Sequence, residues 1–262
     1  MTTLTEAACS VLNAAAPAEK VTLSHRVASA WRDGSIAELG TAAPPERPAR
    51  PEKPELKEPR DMPRRRNAGT LAHRIALLHA VAHIELNAID LAWDLIARFA
   101  TSDLPRAFFD DWITVADQEA THHALVSARI ETLGAAYGDL PAHDGLWQAA
   151  QVTAHDLLAR LAIVPLVLEA RGLDVTPEMI EKLKRQDDLD SVAVLETIYR
   201  EEVGHVAAGQ RWFHFECARR GVEPVETYRD LVRRYFRGGL KPPFNHAARD
   251  RAGFAASFYE NV

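Results

Sequence analysis

Two copies of the pattern Glu-x-x-His are the part of this sequence best suited to chemistry. They are Glu119 with His122, and Glu202 with His205. Residues three apart on an α-helix project from the same side, so each pair could offer an oxygen and a nitrogen to one cation. Since a chain of this composition contains about one such pair by chance, a single copy would mean little. Because there are two copies, the residues that precede each Glu-x-x-His pair can be compared.

Each pair follows a lone glutamate in an apolar, helix-like run. Glu85 lies 34 residues before Glu119, and Glu169 lies 33 residues before Glu202. The chain therefore repeats one unit, which is a helix with Glu, a turn, and a helix with Glu-x-x-His. This is the ligand pattern of a di-iron carboxylate four-helix bundle. The metal ligands that it predicts are Glu85, Glu119, His122, Glu169, Glu202 and His205.

The residue types in this set indicate which metals would bind. Carboxylate oxygen and imidazole nitrogen suit iron or manganese, and the absence of thiolates disfavours structural zinc. Four carboxylates balance the charge of two divalent ions, which is what lets them lie inside a bundle. The alternative is that each residue is a surface or capping group. That alternative fits any one residue alone far better than it fits all six at matching spacing.

Other polar residues near the predicted ligands have weaker signals. Gln118 and Glu201 each precede a predicted ligand, a position from which a side chain can hydrogen-bond the free nitrogen of a ligating histidine. Four other histidines of these helices are expected outside the site. His79 and His83 are predicted to be packing or surface groups, while His123 is rotated away from the ligand His122 and His155 lies too far from Glu169 along the helix.

Composition sets limits on the class of protein. The 262 residues are 47% hydrophobic and 26% charged, an ordinary globular balance with enough chain for one sizeable core. A net charge of −6 gives no general affinity for nucleic acid. Two cysteines form no disulfide framework and suit a reducing cytoplasm. The start of the sequence lacks the basic region of a signal peptide, and no run of eighteen apolar residues predicts a membrane span.

The predicted fold is all-α, a ferritin-like four-helix bundle with added terminal segments. Residues 1–66 are expected to be N-terminal helices and a Pro/Arg-rich strap, 67–222 the bundle, and 223–262 a C-terminal helix and tail. Helices are predicted over 4–16, 21–31, 71–100, 106–133, 146–170, 177–186, 190–220 and 224–237. Pro165 should kink the fifth of these, and Gly172 should end it. The tail from Gly238 is expected to wrap the surface.

Two connections leave alternatives open. Seven prolines between Pro44 and Pro63 exclude a helix or a central strand, so an extended strap over the bundle is expected. There are two alternatives for this segment. One is that Arg64 to Arg66 bind a phosphate-bearing substrate or partner, and the other is that the segment is a disordered linker. The link from Gly134 to Gly145 reaches at most about 36 Å. That length could cross the bundle, as ferritin-like connectivity needs, or join neighbouring helices.

The sequence also resembles a known family at several of these residues. The stretches 79–91, 168–177 and 202–206 are similar to a ferritin-like bacterial family known as a domain of unknown function. The similarity extends to the strap, to 137–147 and to 243–245, so it covers nearly the whole chain. It implies a ferritin-like fold and a di-metal site at the six residues above. A more distant similarity, in the ligand pattern alone, is to the bacterial tRNA hydroxylase. Gln118 departs from that pattern, because oxygen-activating relatives often have Asp there.

Several functions are consistent with these observations. The first is an oxygen-dependent oxidoreductase, a hydroxylase or oxidase that takes O2 and a small-molecule substrate at two iron ions, or at manganese and iron. The second is a metal-binding or ferroxidase-like protein without an organic substrate. A bundle that has lost its metal is disfavoured by the intact ligand set. Modification of tRNA rests on analogy alone. A cytoplasmic location without membrane association is expected, and a homodimer is an open expectation.

Overall fold

The computed structural model describes residues 2–57, 61–62, 69–260 and 262, and the described chain is mostly α-helical. The predicted all-α class is therefore confirmed. Contacts between Cα atoms divide the chain into two compact units, Met1–Trp147 and Gln148–Val262. The predicted division at residues 66 and 222 stays a prediction. The arginine run 64–66 lies outside the described residues.

The first unit is built on two long helices. Its elements in chain order are α1 (Leu4–Asn13), α2 (Pro17–Arg32), β1 (Leu56–Lys57), α3 (Leu71–Phe99), α4 (Arg106–Thr132) and β2 (Ala142–His143); α5 (Gly145–Val152) begins in this unit and ends in the next. The helices α3 and α4 pack against each other, while α1 packs on α3 and α2 packs on α4. Gly134, with φ of +84°, follows the end of α4, as the sequence predicts.

Helix α3 is the apolar centre of this unit. By length and composition alone it would pass for a membrane span, and it is the one such helix among the described residues. However, 72% of its most apolar 18-residue window is buried within the protein. This burial is that of a core helix in a globular domain, so α3 needs no lipid to cover its apolar side chains.

The strap is held to α3 by charge and by hydrogen bonds. The Arg50 guanidinium lies 3.0 Å from Asp90, which also pairs with the buried ammonium of Lys20 from α2. Arg98 donates a hydrogen bond to the carbonyl of Pro45. Further along, β1 and β2 form a two-residue parallel ladder, with Leu56 opposite Ala142. The described part of the strap up to residue 57 is thus extended, and its residues 56–57 form a short parallel pairing.

Helix α2 begins earlier than the sequence indicates. The predicted start was residue 21, but the helix begins at Pro17, a residue that fits the first turn because its missing amide proton is not needed there. Leu23 of this helix is half-exposed, whereas the polar residues Lys20 and Ser24 are buried. Both buried polar side chains have partners, because Lys20 pairs with Asp90 and Ser24 donates a hydrogen bond to the carbonyl of Ala116.

The second unit contains two long helical segments and a C-terminal region. Its elements are α6 (Leu157–Ile163), a π-helical segment (Val164–Glu169), α7 (Ala170–Lys184), α8 (Leu189–Arg220), α9 (Pro224–Tyr235), α10 (His246–Arg251) and α11 (Ala256–Tyr259). The first three follow one another without a loop and pack along α8. The predicted bounds of α8 and α9 differ from these by no more than two residues.

The helix predicted over 146–170 is wrong as one continuous element. The chain breaks between α5 and α6, where the Asp156 carboxylate caps α6 by accepting from the amide of Leu158. The buried Arg160 fills the break, since it donates to Thr153 and to the carbonyl of Ala150. At Pro165 the chain forms a π segment instead of a plain kink. A π segment absorbs an extra residue per turn and is often found at functional sites.

The predicted break at Gly172 and new start at Pro177 are also wrong. Helix α7 runs through both residues. Proline at 177 removes the amide proton that would bond to the carbonyl of Leu173. That carbonyl instead accepts from the side-chain amide of Asn245, at 3.0 Å. A partner 72 residues away in sequence therefore lets the helix continue.

The C-terminal tail is more ordered than a surface wrap. Two short helices, α10 and α11, bring Phe254 and Phe258 into an aromatic cluster with Tyr228 of α9. All three rings are buried. Burial of aromatic side chains on this scale anchors the tail to its unit.

Candidate metal centre

The first unit brings three of the predicted ligands together. Glu85 comes from α3, and Glu119 and His122 come from one side of α4. Nδ1 of His122 lies 3.5 Å from a carboxylate oxygen of Glu85 and 3.4 Å from one of Glu119. Glu119 and His122 are fully buried, and Glu85 is 4% exposed. We call these three residues the first cluster.

The second unit brings the other three together. Glu169 ends the π segment, and Glu202 and His205 lie three apart on α8. Nδ1 of His205 lies 3.6 Å from a carboxylate oxygen of Glu202. Glu202 and His205 are buried and Glu169 is half-buried. In this second cluster, as in the first, the donor atoms lie within 4.8 Å of one another, a spacing that could hold a metal ion.

The charges of the first cluster are strongly perturbed. Burial and the neighbouring charge of Glu119 raise the pKa of Glu85 well above its ordinary value of 4.5. Burial alone would lower the pKa of His122, but its contacts with Glu119 and Glu85 outweigh burial and raise that pKa to about 12. Both pKa shifts have one cause, which is that buried carboxylates are stabilised by a positive charge beside them. A metal cation provides that charge.

The donor set fits a transition metal. Each cluster offers carboxylate oxygen and imidazole nitrogen, the ligands that iron and manganese accept in proteins. Oε2 of Glu85 and Oε2 of Glu202 are buried and accept no hydrogen bond from the described residues. Since an unsatisfied buried carboxylate oxygen is costly, a ligand for these two atoms is expected. The two cysteines, Cys9 and Cys217, belong to neither cluster.

A histidine outside the predicted set fixes the first cluster. His123 is buried, and its Nδ1 lies 2.9 Å from the carbonyl of Ala82, to which it donates across the α3–α4 contact. This bond joins the residue after His122 to the residue three before Glu85. The sequence excludes His123 from the ligands because of its rotation from His122, and the structure shows that its ring joins the two helices that carry the cluster. The sequence signal that could have found it is its position next to a ligand on a buried helix.

The irregular backbone around Glu169 is braced by the C-terminal region. The hydroxyl of Tyr228 donates to the carbonyl of Leu166, and the Arg249 guanidinium donates to that of Ala170. Arg249 also forms a buried ion pair with Asp174, at 2.7 Å. Together with the bond from Asn245 to Leu173, these contacts satisfy carbonyls on both sides of Glu169. The tail therefore supports the position of one predicted ligand.

Comparison with known proteins identifies the family. The chain matches, over residues 13–260, the family described as "Protein of unknown function (DUF455)". The chain belongs to this family. It is 46% identical, over 218 residues, to an uncharacterized protein of Haemophilus influenzae, a match that spans 81% of this chain and 73% of that protein. No solved structure matches the chain. The resemblance to a family of unknown function is confirmed, and its ferritin-like character stays a prediction.

The other polar residues considered in this DUF455 chain lie outside the clusters. His79 accepts a hydrogen bond from the amide of Gly138, and His83 contacts the hydroxyl of Tyr137. His155 lies against Tyr235 in an exposed contact. None of these three histidines belongs to either cluster in the described part of the chain. The orienting roles of Gln118 and Glu201 stay predictions, and both side chains are half-buried.

Proposed function

We propose that the two clusters act as one ligand set for two transition-metal ions in a ferritin-like di-iron protein, and that the protein is an oxygen-dependent oxidoreductase. Iron is the first choice of metal, and manganese with iron is the alternative. The observation that carries this proposal is the repeated cluster. Each unit brings together two glutamates and a histidine of matching sequence spacing, and all of them are buried except the half-buried Glu169. This composition is the one that di-iron carboxylate bundles use.

The reaction that fits such a centre is hydroxylation or oxidation of a small molecule. Two ferrous ions, when bound, supply open coordination positions and electrons for the reduction of O2. In a hydroxylation, one oxygen atom of O2 enters a C–H bond and the other leaves as water. The balance requires two electrons and two protons from an external reductant, such as an iron–sulfur or flavin protein.

The chain contributes position, charge and exclusion of water. Glu85 and Glu119 provide the negative charge that would retain cations, while His122 provides the nitrogen ligand. His123 holds the α3–α4 contact beside them through Ala82. Full burial of Glu119 and His122 keeps bulk water from these ligands, which strengthens their electrostatic interactions.

The cellular setting is proposed on the sequence alone. Two free cysteines favour the cytoplasm. O2 and an organic substrate are the proposed small-molecule partners, and a homodimer is the proposed assembly. A tRNA substrate has the distant ligand-pattern similarity in its favour and the net charge of −6 against it.

The decisive experiment is O2 consumption by the reduced, iron-loaded protein. Protein reconstituted anaerobically with ferrous iron is mixed with O2, a chemical reductant and a mixture of small molecules, and oxygen uptake and products are followed together. Uptake coupled to an oxidised product supports the oxidoreductase. Iron oxidation without product supports the ferroxidase-like alternative. Protein that retains no iron after reconstitution would exclude both.

A further inference from the structure

A cavity of about 310 Å³ lies against α3 in the first unit. Its walls come from one side of α3 and from the link that contains β2, and they include His73, Ala76, His79, Ala80, Leu140 and His143. Small-molecule sites in proteins range from about 300 to 1,000 Å³. Since one water occupies about 30 Å³ of liquid, the cavity has room for a ligand of about ten heavy atoms.

This cavity is separate from the first cluster. Successive residues of an α-helix are rotated by about 100°, so the α3 residues of the cavity wall lie on a face roughly opposite that of Glu85. Helix α3 thus carries a carboxylate cluster on one face and a cavity on the other. The proposed metal chemistry does not use this cavity, so ligand binding there is independent of that chemistry.

One buried histidine presents an unused donor in this wall. The amide of Gly138 donates to Nε2 of His79 at 2.9 Å, so Nε2 holds a lone pair and the proton of the neutral ring lies on Nδ1. Burial lowers the pKa of His79, which keeps the ring neutral. His79 is 2% exposed, and no residue of the described chain accepts a hydrogen bond from Nδ1. A ligand in the cavity could accept a hydrogen bond from this donor.

A second donor comes from His143. The amide of Gly145 donates to Nδ1 of His143 at 3.2 Å, which leaves the proton on Nε2. His83 differs, because both of its nitrogens have partners, the hydroxyl of Tyr137 and the carbonyl of His143. The described wall therefore offers two imidazole N–H groups. It contains no Lys, Arg, Asp or Glu, and its other members are mostly apolar.

We propose that this cavity binds a small uncharged molecule with an apolar body and a carbonyl oxygen that accepts hydrogen bonds from His79 and His143. A hydrocarbon would leave both donors unsatisfied. Within the described wall a carboxylate would meet no Lys or Arg, so its charge would not be compensated there. A ketone, an amide or an ester satisfies the donors and fills the apolar space.

Three probes of nearly equal shape test the proposal. They are acetophenone, ethylbenzene, which lacks the oxygen, and benzoate, which adds a charge. Binding to the full-length protein is measured by ligand-observed NMR titration. Because a net hydrogen bond contributes about 0.5–1.5 kcal/mol, acetophenone should bind about three- to tenfold more tightly than ethylbenzene. It should also bind more tightly than benzoate. Equal affinity for the ketone and the hydrocarbon, or no saturable binding of acetophenone, would overturn the proposal.

Two variants locate the binding. Ala76→Phe places a ring in the cavity and should reduce acetophenone affinity at least tenfold, whereas Ala107→Phe, at an exposed position of α4, should leave it unchanged. His143→Phe keeps an aromatic ring but removes the donor, so the preference for acetophenone over ethylbenzene should shrink. Circular dichroism checks the fold of each variant. Parent-like binding by folded Ala76→Phe would place the probe elsewhere and refute the assignment.

Discussion

A Cβ atom on Gly209 would lie 2.4 Å from the Cβ of Pro165, far inside the contact distance of two carbon atoms. Gly209 is one helical turn after His205 on α8, and Pro165 is four residues before Glu169 in the π segment. The absence of a side chain at 209 therefore sets how closely these two elements approach. The same approach determines the spacing between Glu169 and the pair Glu202 and His205.

Substitution Gly209→Ala should separate the π segment from α8. The added methyl group meets the ring of Pro165, which cannot move out of the way as a flexible side chain could. Overpacking of this kind costs about 1–3 kcal/mol of unfolding free energy. Urea denaturation should show that loss, and elemental analysis should show less bound iron than in the parent.

The matched control is Gly204→Ala on the same helix. A Cβ at 204 meets nothing within 4 Å, and alanine favours a helix over glycine by about 0.5–1 kcal/mol. This variant should be as stable as the parent or more stable, with parent-like iron content. If Gly209→Ala behaves like Gly204→Ala in both assays, the contact with Pro165 does not position the second cluster.

The ion pair of Arg249 and Asp174 gives a prediction about how the C-terminal region supports the backbone around Glu169. Arg249→Met removes the buried partner of Asp174, whose carboxylate then keeps only Arg171 at 3.5 Å and the amide of Asn245, and this should cost up to about 3–5 kcal/mol. The double variant Arg249→Met with Asp174→Leu should recover at least half of that loss, since it removes the buried carboxylate as well. Denaturant titrations of the parent, both single variants and the double variant measure the coupling. Additive losses would show that the pair is not coupled.

The two thiols should differ in reactivity. Burial raises the pKa of Cys217 to about 12, so about one in 10,000 of these side chains is a thiolate at pH 8. The side chain is also fully buried, whereas Cys9 is half-buried. Iodoacetamide at pH 8 should therefore modify Cys9 first, and Cys217 only after urea unfolds α8. Mass spectrometry of the digested protein distinguishes the two, and rapid labelling of Cys217 in the native protein would contradict its burial.

Metal removal should destabilise the protein. Without a cation, Glu85 and Glu119 remain buried close together, which favours the unfolded chain. Chelation should lower the melting temperature by at least about 5 °C, and ferrous iron or manganese should restore it. A Glu119→Ala variant treated in the same way is the control, because it should show little further change. An unchanged parent melting curve, with metal loss verified, would count against this mechanism.

Local sequence signals account for much of the fold. The apolar periodicity of α3, α4 and α8 predicted these helices closely, because each buries a continuous stripe along its length. The pairing of Glu119 with His122 also follows from helical spacing alone. Glu85 could be predicted as a third ligand because it is a lone carboxylate in an apolar stripe, and a buried carboxylate needs a partner.

The errors arise where distant parts of the chain decide the backbone. Pro177 alone predicts a helix start, but the bond from Asn245 to Leu173 satisfies the carbonyl that the proline leaves free. Pro165 predicts a kink, but its contact with Gly209 accompanies a π segment. The tie between His123 and Ala82 likewise depends on how α3 packs on α4. No pattern within one helix contains these partners.

The central claim, that six residues form one ligand set, is tested most directly by the iron content of single variants. The parent protein, Glu119→Ala, Glu202→Ala and the surface control His155→Ala are reconstituted with ferrous iron, and bound metal is measured per folded chain. We predict about two ions in the parent and in His155→Ala, and well below one ion in each glutamate variant, because in a shared ligand set the loss of one carboxylate would weaken the binding of both ions. Full occupancy in Glu119→Ala or Glu202→Ala would contradict the claim.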